Sequence, residues 1–260
     1  MVDLPQELLD EIIGHLPQSD TQSLRNYSLV AKSWIRPSRR RLFEVVSVER
    51  TADLRSWLDN ISPTNVELLH HVRSLFCRIT DPLYSPCQPT NRVGFLHDYL
   101  PSFHQLRCLN LAAGRLLWFT QVGTPSAFRH TLTYLSLFNC GVRASALVTL
   151  VNCFPNLEQL DIHSLIQEAD DQPIPPVSRP LRRLSVYGFN NSGSLGLLDE
   201  LLALRQQYDE IVVAVFTHSC PSLAQRVIDG AEASIRRLCL LSALGRTCID
   251  ITRFYCAVTE

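Results

Sequence analysis

An α/β fold is predicted for this sequence. A small N-terminal helical unit spans residues 1–45, a right-handed solenoid of short parallel strands and outer helices spans 46–245, and a C-terminal tail of uncertain order spans 246–260. Three observations predict it. Apolar residues recur every four positions near the N-terminus. A six-residue template, apolar-x-x-apolar-x-apolar, recurs through the remainder, and from residue 106 to 235 its copies start 24 to 27 residues apart. Between the copies lie segments whose apolar spacing is helical.

In the N-terminal unit, Leu4, Leu8, Ile12 and Leu16 follow one another at four-residue spacing, and Leu9 and Ile13 widen the apolar stripe. Pro5 suits a first helical turn, where its missing N–H is no loss. Pro17 stops the helix at Leu16, because a residue before proline avoids the α region. Ser19 or Asp20 can cap a second helix carrying Leu24. A third helical segment carries Leu29, Val30, Ala31 and Trp34. It is expected to break at Pro37, with an Arg-rich turn leading to Leu42-Phe43. Helices this short form a poor core alone, and the stripe of the first is wider than internal packing readily explains. Both features point to a partner surface.

In the remainder the template appears at Leu106-x-x-Leu109-x-Leu111, Leu132-x-x-Leu135-x-Leu137, Leu157-x-x-Leu160-x-Ile162 and Leu181-x-x-Leu184-x-Val186. Degenerate copies follow at Tyr208-x-x-Ile211-x-Val213 and Ile235-x-x-Leu238-x-Leu240. Earlier ones are Val72-x-x-Leu75-x-Cys77 and Phe43-x-x-Val46-x-Val48. Helical spacing is found over 53–61, 93–103, 144–154, 195–205 and 223–231. Strand and helix alternating at a fixed period read as a solenoid with a parallel sheet. Two proline-containing stretches, 80–92 and 164–180, are expected to be exposed loops.

Leu4-Pro5-Gln6-Glu7-Leu8-Leu9-Asp10-Glu11-Ile12, then Asp20, Leu24, Ser28-Leu29-Val30-Ala31-Lys32-Ser33-Trp34 and Leu42-Phe43 resemble the F-box in its fungal wording, with Ala31 where many members carry Cys. The resemblance implies docking to a Skp-type adaptor, and through it to a cullin-RING ligase. On that basis Leu4, Pro5, Leu8 and Ile12 face the adaptor, while Leu24, Leu29, Val30 and Trp34 divide between adaptor contact and internal core. The repeat region resembles degenerate leucine-rich repeats. Cys140 falls where such repeats place an Asn or Cys that bonds the turning backbone, and Cys153-Phe154-Pro155-Asn156-Leu157 resembles a repeat boundary. The implied function is the substrate-recognition subunit of an SCF-type ubiquitin ligase, a non-catalytic role. The alternatives are a non-ligase scaffold, or a degenerate, truncated member without a client; the tail offers no clear closing cap.

Residues lying between the apolar positions of the template are candidates for an unknown protein client. They are Asn110, Ser136, Asp161 and Ser185, joined by His163, which shares a sheet face with Asp161 by period two. No catalytic, cofactor or metal signature is present: there is no GxGxxG, P-loop, GxSxG, HExxH or zinc spacing. His70-His71 opens a strand-like segment without ligand partners. A formal net charge of −1 gives no overall field for nucleic acid, and no apolar run is long enough to span a bilayer, so neither partner is expected. Arg36, Arg39, Arg40 and Arg41 form a basic cluster that reads as a solvated face or a supplement to docking an acidic adaptor. No secretory signal is visible, so the nine cysteines are expected to be reduced, in the cytoplasm or nucleus.

Overall fold

The computed structural model describes residues 4–17, 19–49, 56–57, 59–60, 66–78, 100–115, 126–163, 166–167, 175, 181–187, 208–215, 235–242 and 245–249. Three helices come first: α1 (Gln6–Gly14), α2 (Thr21–Tyr27) and α3 (Lys32–Phe43). Pro5 stands just before α1, and its carbonyl accepts the Leu8 and Leu9 N–H groups at 3.1 and 3.2 Å. Asp20 caps α2, its carboxylate accepting the Ser23 N–H at 3.1 Å. Hydrogen bonds from the Ser23 side chain and then its backbone hold the Asp20 carboxyl below its ordinary pKa. Leu9, Ile13 and Leu24 are buried where the three helices meet.

Two expectations for this unit are corrected. Pro37 does not break α3 but lies within it, buried, and Arg39, Arg40 and Arg41 belong to the helix and not to a turn. A proline forfeits one N–H···O=C bond and crowds the preceding turn. Here the ring is packed inside the protein, and burial offsets that loss. Leu29, Val30 and Ala31 are not helical: they form the link from α2 to α3, with the Leu29 and Val30 N–H groups closing onto Asn26 and Tyr27. In addition, α1 ends at Gly14, with His15 as its cap, two residues before the expected stop.

A sheet of ten strands follows: β1 (Val45–Val48), β2 (Ser74–Arg78), β3 (Cys108–Arg115), β4 (Tyr134–Val142), β5 (Gln159–His163), β6 (Ile166–Gln167), β7 (Arg183–Tyr187), β8 (Tyr208–Val215), β9 (Ile235–Ser242) and β10 (Gly245–Ile249). Their order is β1-β2-β3-β4-β5-β7-β8-β9-β10, with β6 beside β4. All pairs are parallel except β9–β10, which is antiparallel. The fold is therefore α/β.

The sequence template and the sheet register coincide. Val46, Leu75, Leu109, Leu135, Leu160, Leu184, Ile211 and Leu238 are successive Cα partners across seven pairs. The third template position forms a second unbroken row, from Val48 through Cys77, Leu111, Leu137, Ile162, Val186 and Val213 to Leu240. Leu75, Leu109, Leu135, Leu160, Leu184 and Ile211 are each 0% exposed. Burying one such side chain contributes about 1.5–3 kcal/mol. The core is thus one element reused from strand to strand.

The hydrogen bonds repeat as well. Arg107 and Cys108 both donate their N–H to the Arg73 carbonyl; Thr133 and Tyr134 donate to Arg107, Glu158 and Gln159 to Thr133, Arg182 and Arg183 to Glu158, and Asp209 and Glu210 to Arg182. Ahead of the strands lie α4 (Val66–Leu69), the 3-10 turns Leu100–Ser102 and Ser126–Phe128, and α5 (Ala144–Asn152). The expected helices over 195–205 and 223–231, and the loop over 80–92, lie outside the described residues.

Two further expectations change. The stretch 164–180 contains β6, whose Ile166 and Gln167 pair with Gly141 and Val142. Strand β4 runs nine residues and β5 five, so the far end of β4 projects beyond β5 and offers free backbone groups. The tail likewise opens with β10, in register from Gly245↔Ser242 to Ile249↔Leu238.

Candidate functional site

Two surfaces carry the residues singled out by sequence. The first is on the N-terminal helices. Leu4, Leu8 and Ile12 are exposed by 43%, 46% and 43%, and Leu29 and Val30 by 83% and 64%; together they are five of the seven large apolar side chains that stand exposed among the described residues. Leu8 and Ile12, four residues apart, share one flank of α1, Leu4 stands just before the helix, and Leu9 and Ile13 turn inward. Pro5 is exposed beside them.

Trp34 is half-buried and stacks on Tyr27 with ring centroids 5.4 Å apart. Leu24 is 0% exposed, so of the two places expected for it, adaptor contact or internal core, it takes the core in the free chain. It sits in the middle of α2 on the side facing the other helices, so it fastens the unit internally.

The second surface is the sheet face opposite the leucine rows. Asn110, Ser136, Asp161 and Ser185 are successive register partners and form its middle row. Ser136 and Asp161 are 7% exposed and Ser185 is 0% exposed, so these three are not open contact positions as expected. Larger side chains two residues before and after, on the same face, close over them. On one flank the Tyr134 hydroxyl donates to Asp161 Oδ2 at 2.7 Å, and Gln159 Nε2 donates to Asp161 Oδ1 at 3.2 Å. On the other flank Phe138, His163 and Tyr187 form an aromatic row: His163 stacks on Tyr187 at 4.2 Å and meets Phe138 at 5.5 Å.

This aromatic row was missed in the sequence, although the signal was present. Phe138, His163 and Tyr187 each follow the last apolar position of consecutive template copies. Phe76, on the same face but in the row of Asn110 and Ser136, is 39% exposed against 40% for Phe138. A cleft of about 270 Å³ lies between them, lined by Glu49, Phe76, Asn110, Ser136, Phe138 and His163 among others. The structure therefore brings Asn110, Ser136 and His163 together at one opening and leaves Asp161 and Ser185 beneath the surface. Burial lowers the pKa of His163, opposed by Asp161, so the ring is neutral at pH 7 and suited to stacking. Replacing Tyr134 with Phe removes the shortest bond to a buried carboxylate. The expected loss is about 1.5–3 kcal/mol of unfolding free energy, read by urea denaturation.

The cysteines divide by position. Cys77, Cys108, Cys140 and Cys153 are free thiols, with Cys77 and Cys140 buried. The Cys140 thiol donates to the Phe138 carbonyl at 3.5 Å and to the Leu111 carbonyl of the neighbouring strand at 3.8 Å. Burial pushes the Cys77 and Cys140 thiols up to about 12. At pH 8 such a thiol is ionised in only about one molecule in ten thousand. Iodoacetamide at that pH is expected to leave both unmodified in the folded chain and to label both in denaturant, as read by peptide mass spectrometry.

Among the described residues no group of three or more His, Cys, Asp or Glu could hold a metal ion, and no helix is long and apolar enough to cross a membrane. No protein-family model matches the chain, and no curated protein matches it.

Proposed function

We propose that this chain is the substrate-recognition subunit of an SCF-type ubiquitin ligase, in which α1–α3 serve as an F-box and the sheet region serves as a leucine-rich-repeat-like solenoid. The single observation that carries the reading is the concentration of exposed large apolar side chains in the N-terminal helical unit: Leu4 just before α1, Leu8 and Ile12 on it, and Leu29 and Val30 in the link from α2 to α3. Exposed apolar side chains scattered singly need no explanation, but five of the seven among the described residues on one small unit mark a partner surface. A groove-binding helix presents anchors at this spacing. The partner proposed is a Skp-type adaptor, which would carry the cullin-RING machinery. The matching registers of the template rows support the solenoid, since each strand reuses the same inward positions.

In this reading the chain does no bond chemistry. It holds a client near a ubiquitin-charged enzyme carried elsewhere in the complex, and proximity supplies the rate. The client surface proposed is the cleft bounded by Phe76, Phe138 and His163. Its place of action would be the cytoplasm or nucleus.

Affinity purification of the full chain, with and without a Leu4→Asp/Leu8→Asp double substitution, tests the proposal. Adaptor and cullin are expected with the parent chain and absent with the variant, while client proteins stay bound to both. Purification of the parent chain without an adaptor contradicts the reading.

A further inference from the structure

A second cleft, of about 440 Å³, lies away from both surfaces, where the flank of α1 and α3 meets the segment leading into β2. Arg36 and Arg40 stand one turn apart on α3 and line one wall. His70, His71 and Arg73 line the other. Three arginines therefore line one opening, with Asp10 the single acidic residue among those lining it. Asp10 accepts a hydrogen bond from Gln6 Nε2 at 2.9 Å. Arg73 is shared with Glu44, at 3.5 Å, and Glu44 is held more closely by Arg41, at 2.7 Å. Neither Arg36 nor Arg40 forms an ion pair among the described residues.

Unpaired like charges facing one cavity repel one another, and a bound anion removes that repulsion. Guanidinium forks match the oxygens of phosphate in pairs. The volume is that of a small-molecule site. From the convergence of Arg36, Arg40 and Arg73 with His70 and His71 around this cleft, we propose that it binds a compact oligophosphate anion. Linked phosphates offer more charge and more acceptor oxygens than a single sulfate or phosphate, and so can engage arginines of both walls. His71 fits the role: burial first, then Arg40, Arg36 and His70, lower its pKa against the opposing pull of Glu67. The same causes disfavour a protonated ring in the absence of ligand, and the neutral ring still offers one N–H donor. The His70 ring is fixed by stacking on His104 at 5.2 Å. The site is distinct from the proposed adaptor surface, since Gln6 and Asp10 line the cleft while Leu4, Leu8 and Ile12 do not.

Isothermal titration of the full chain with sodium tripolyphosphate tests the proposal, compared with sodium sulfate at matched ionic strength and with a short poly-glutamate peptide. Saturable binding of tripolyphosphate is expected, about tenfold or more tighter than sulfate. Arg36→Gln/Arg40→Gln should weaken it about tenfold or more, the loss expected with charge-assisted hydrogen bonds. Arg39→Gln, a neighbouring arginine outside the cleft, should leave it unchanged. Arg40→Gln alone serves if the double variant melts early. Absence of saturable binding, equal binding by parent and cleft variants, or tighter binding of the acidic peptide overturns the proposal.

Discussion

Replacing Leu8 with Asp is expected to abolish adaptor binding while leaving the fold intact. Leu8 is 46% exposed in the free chain, so the aspartate carboxylate remains in water and stability should change by no more than about 0.5 kcal/mol. In the proposed complex the same position is covered. The variant then loses about 1.5–3 kcal/mol of apolar burial and also places an unpaired charge against an apolar partner. Together these amount to about 4 kcal/mol or more, near a thousandfold in dissociation constant. Leu9→Ala supplies the converse. Leu9 is 1% exposed, and its truncation should cost about 2–5 kcal/mol of stability. A melt and a binding titration on both variants separate docking from folding, because adjacent residues on one helix should show opposite sensitivities.

Phe128→Ala is expected to be the most destabilising single truncation in the sheet region, at about 3–5 kcal/mol. Phe128 is 0% exposed and stacks on Phe154 at 5.7 Å, linking the turn before β4 to the turn before β5. Its carbonyl accepts the N–H groups of Thr131 and Leu132, at 3.1 Å each, where the chain enters β4. The Thr131 hydroxyl then donates to the Leu106 carbonyl, one repeat earlier, at 2.8 Å. Removing the ring leaves a cavity between the segments that lead into β4 and β5. If the sheet region is the solenoid proposed above, that loss falls on neighbouring interfaces together. Urea unfolding should show a lower midpoint. A change within about 0.5 kcal/mol would mean that the Phe128–Phe154 stack does not hold neighbouring repeats together.

The repeated strands were legible because three apolar positions in six residues are a local signal, reinforced by a nearly constant interval. Leu109, Leu135, Leu160 and Leu184 became direct register partners because each strand solves the same burial problem. Pro37 misled the sequence reading, since its local cost was visible and the packing that offsets it was not. Ser136, Asp161 and Ser185 misled it for a related reason. Alternation places them on the outward face, but their burial depends on Tyr134 and on the Phe138–His163–Tyr187 row, which only neighbouring strands bring together. Leu24 was legible as apolar, though helix spacing alone could not decide whether it faced a partner or the interior. The cleft at Arg36 and Arg40 needed the third dimension entirely, because His71 and Arg73 come from another part of the chain.

The most direct test of the adaptor-docking reading is size-exclusion chromatography with light scattering on the purified full chain mixed with a purified Skp-type adaptor. A one-to-one complex that forms with the parent chain and disappears with Leu8→Asp is the predicted result. Separate elution of the parent chain and the adaptor, or a complex that survives the substitution, would contradict it.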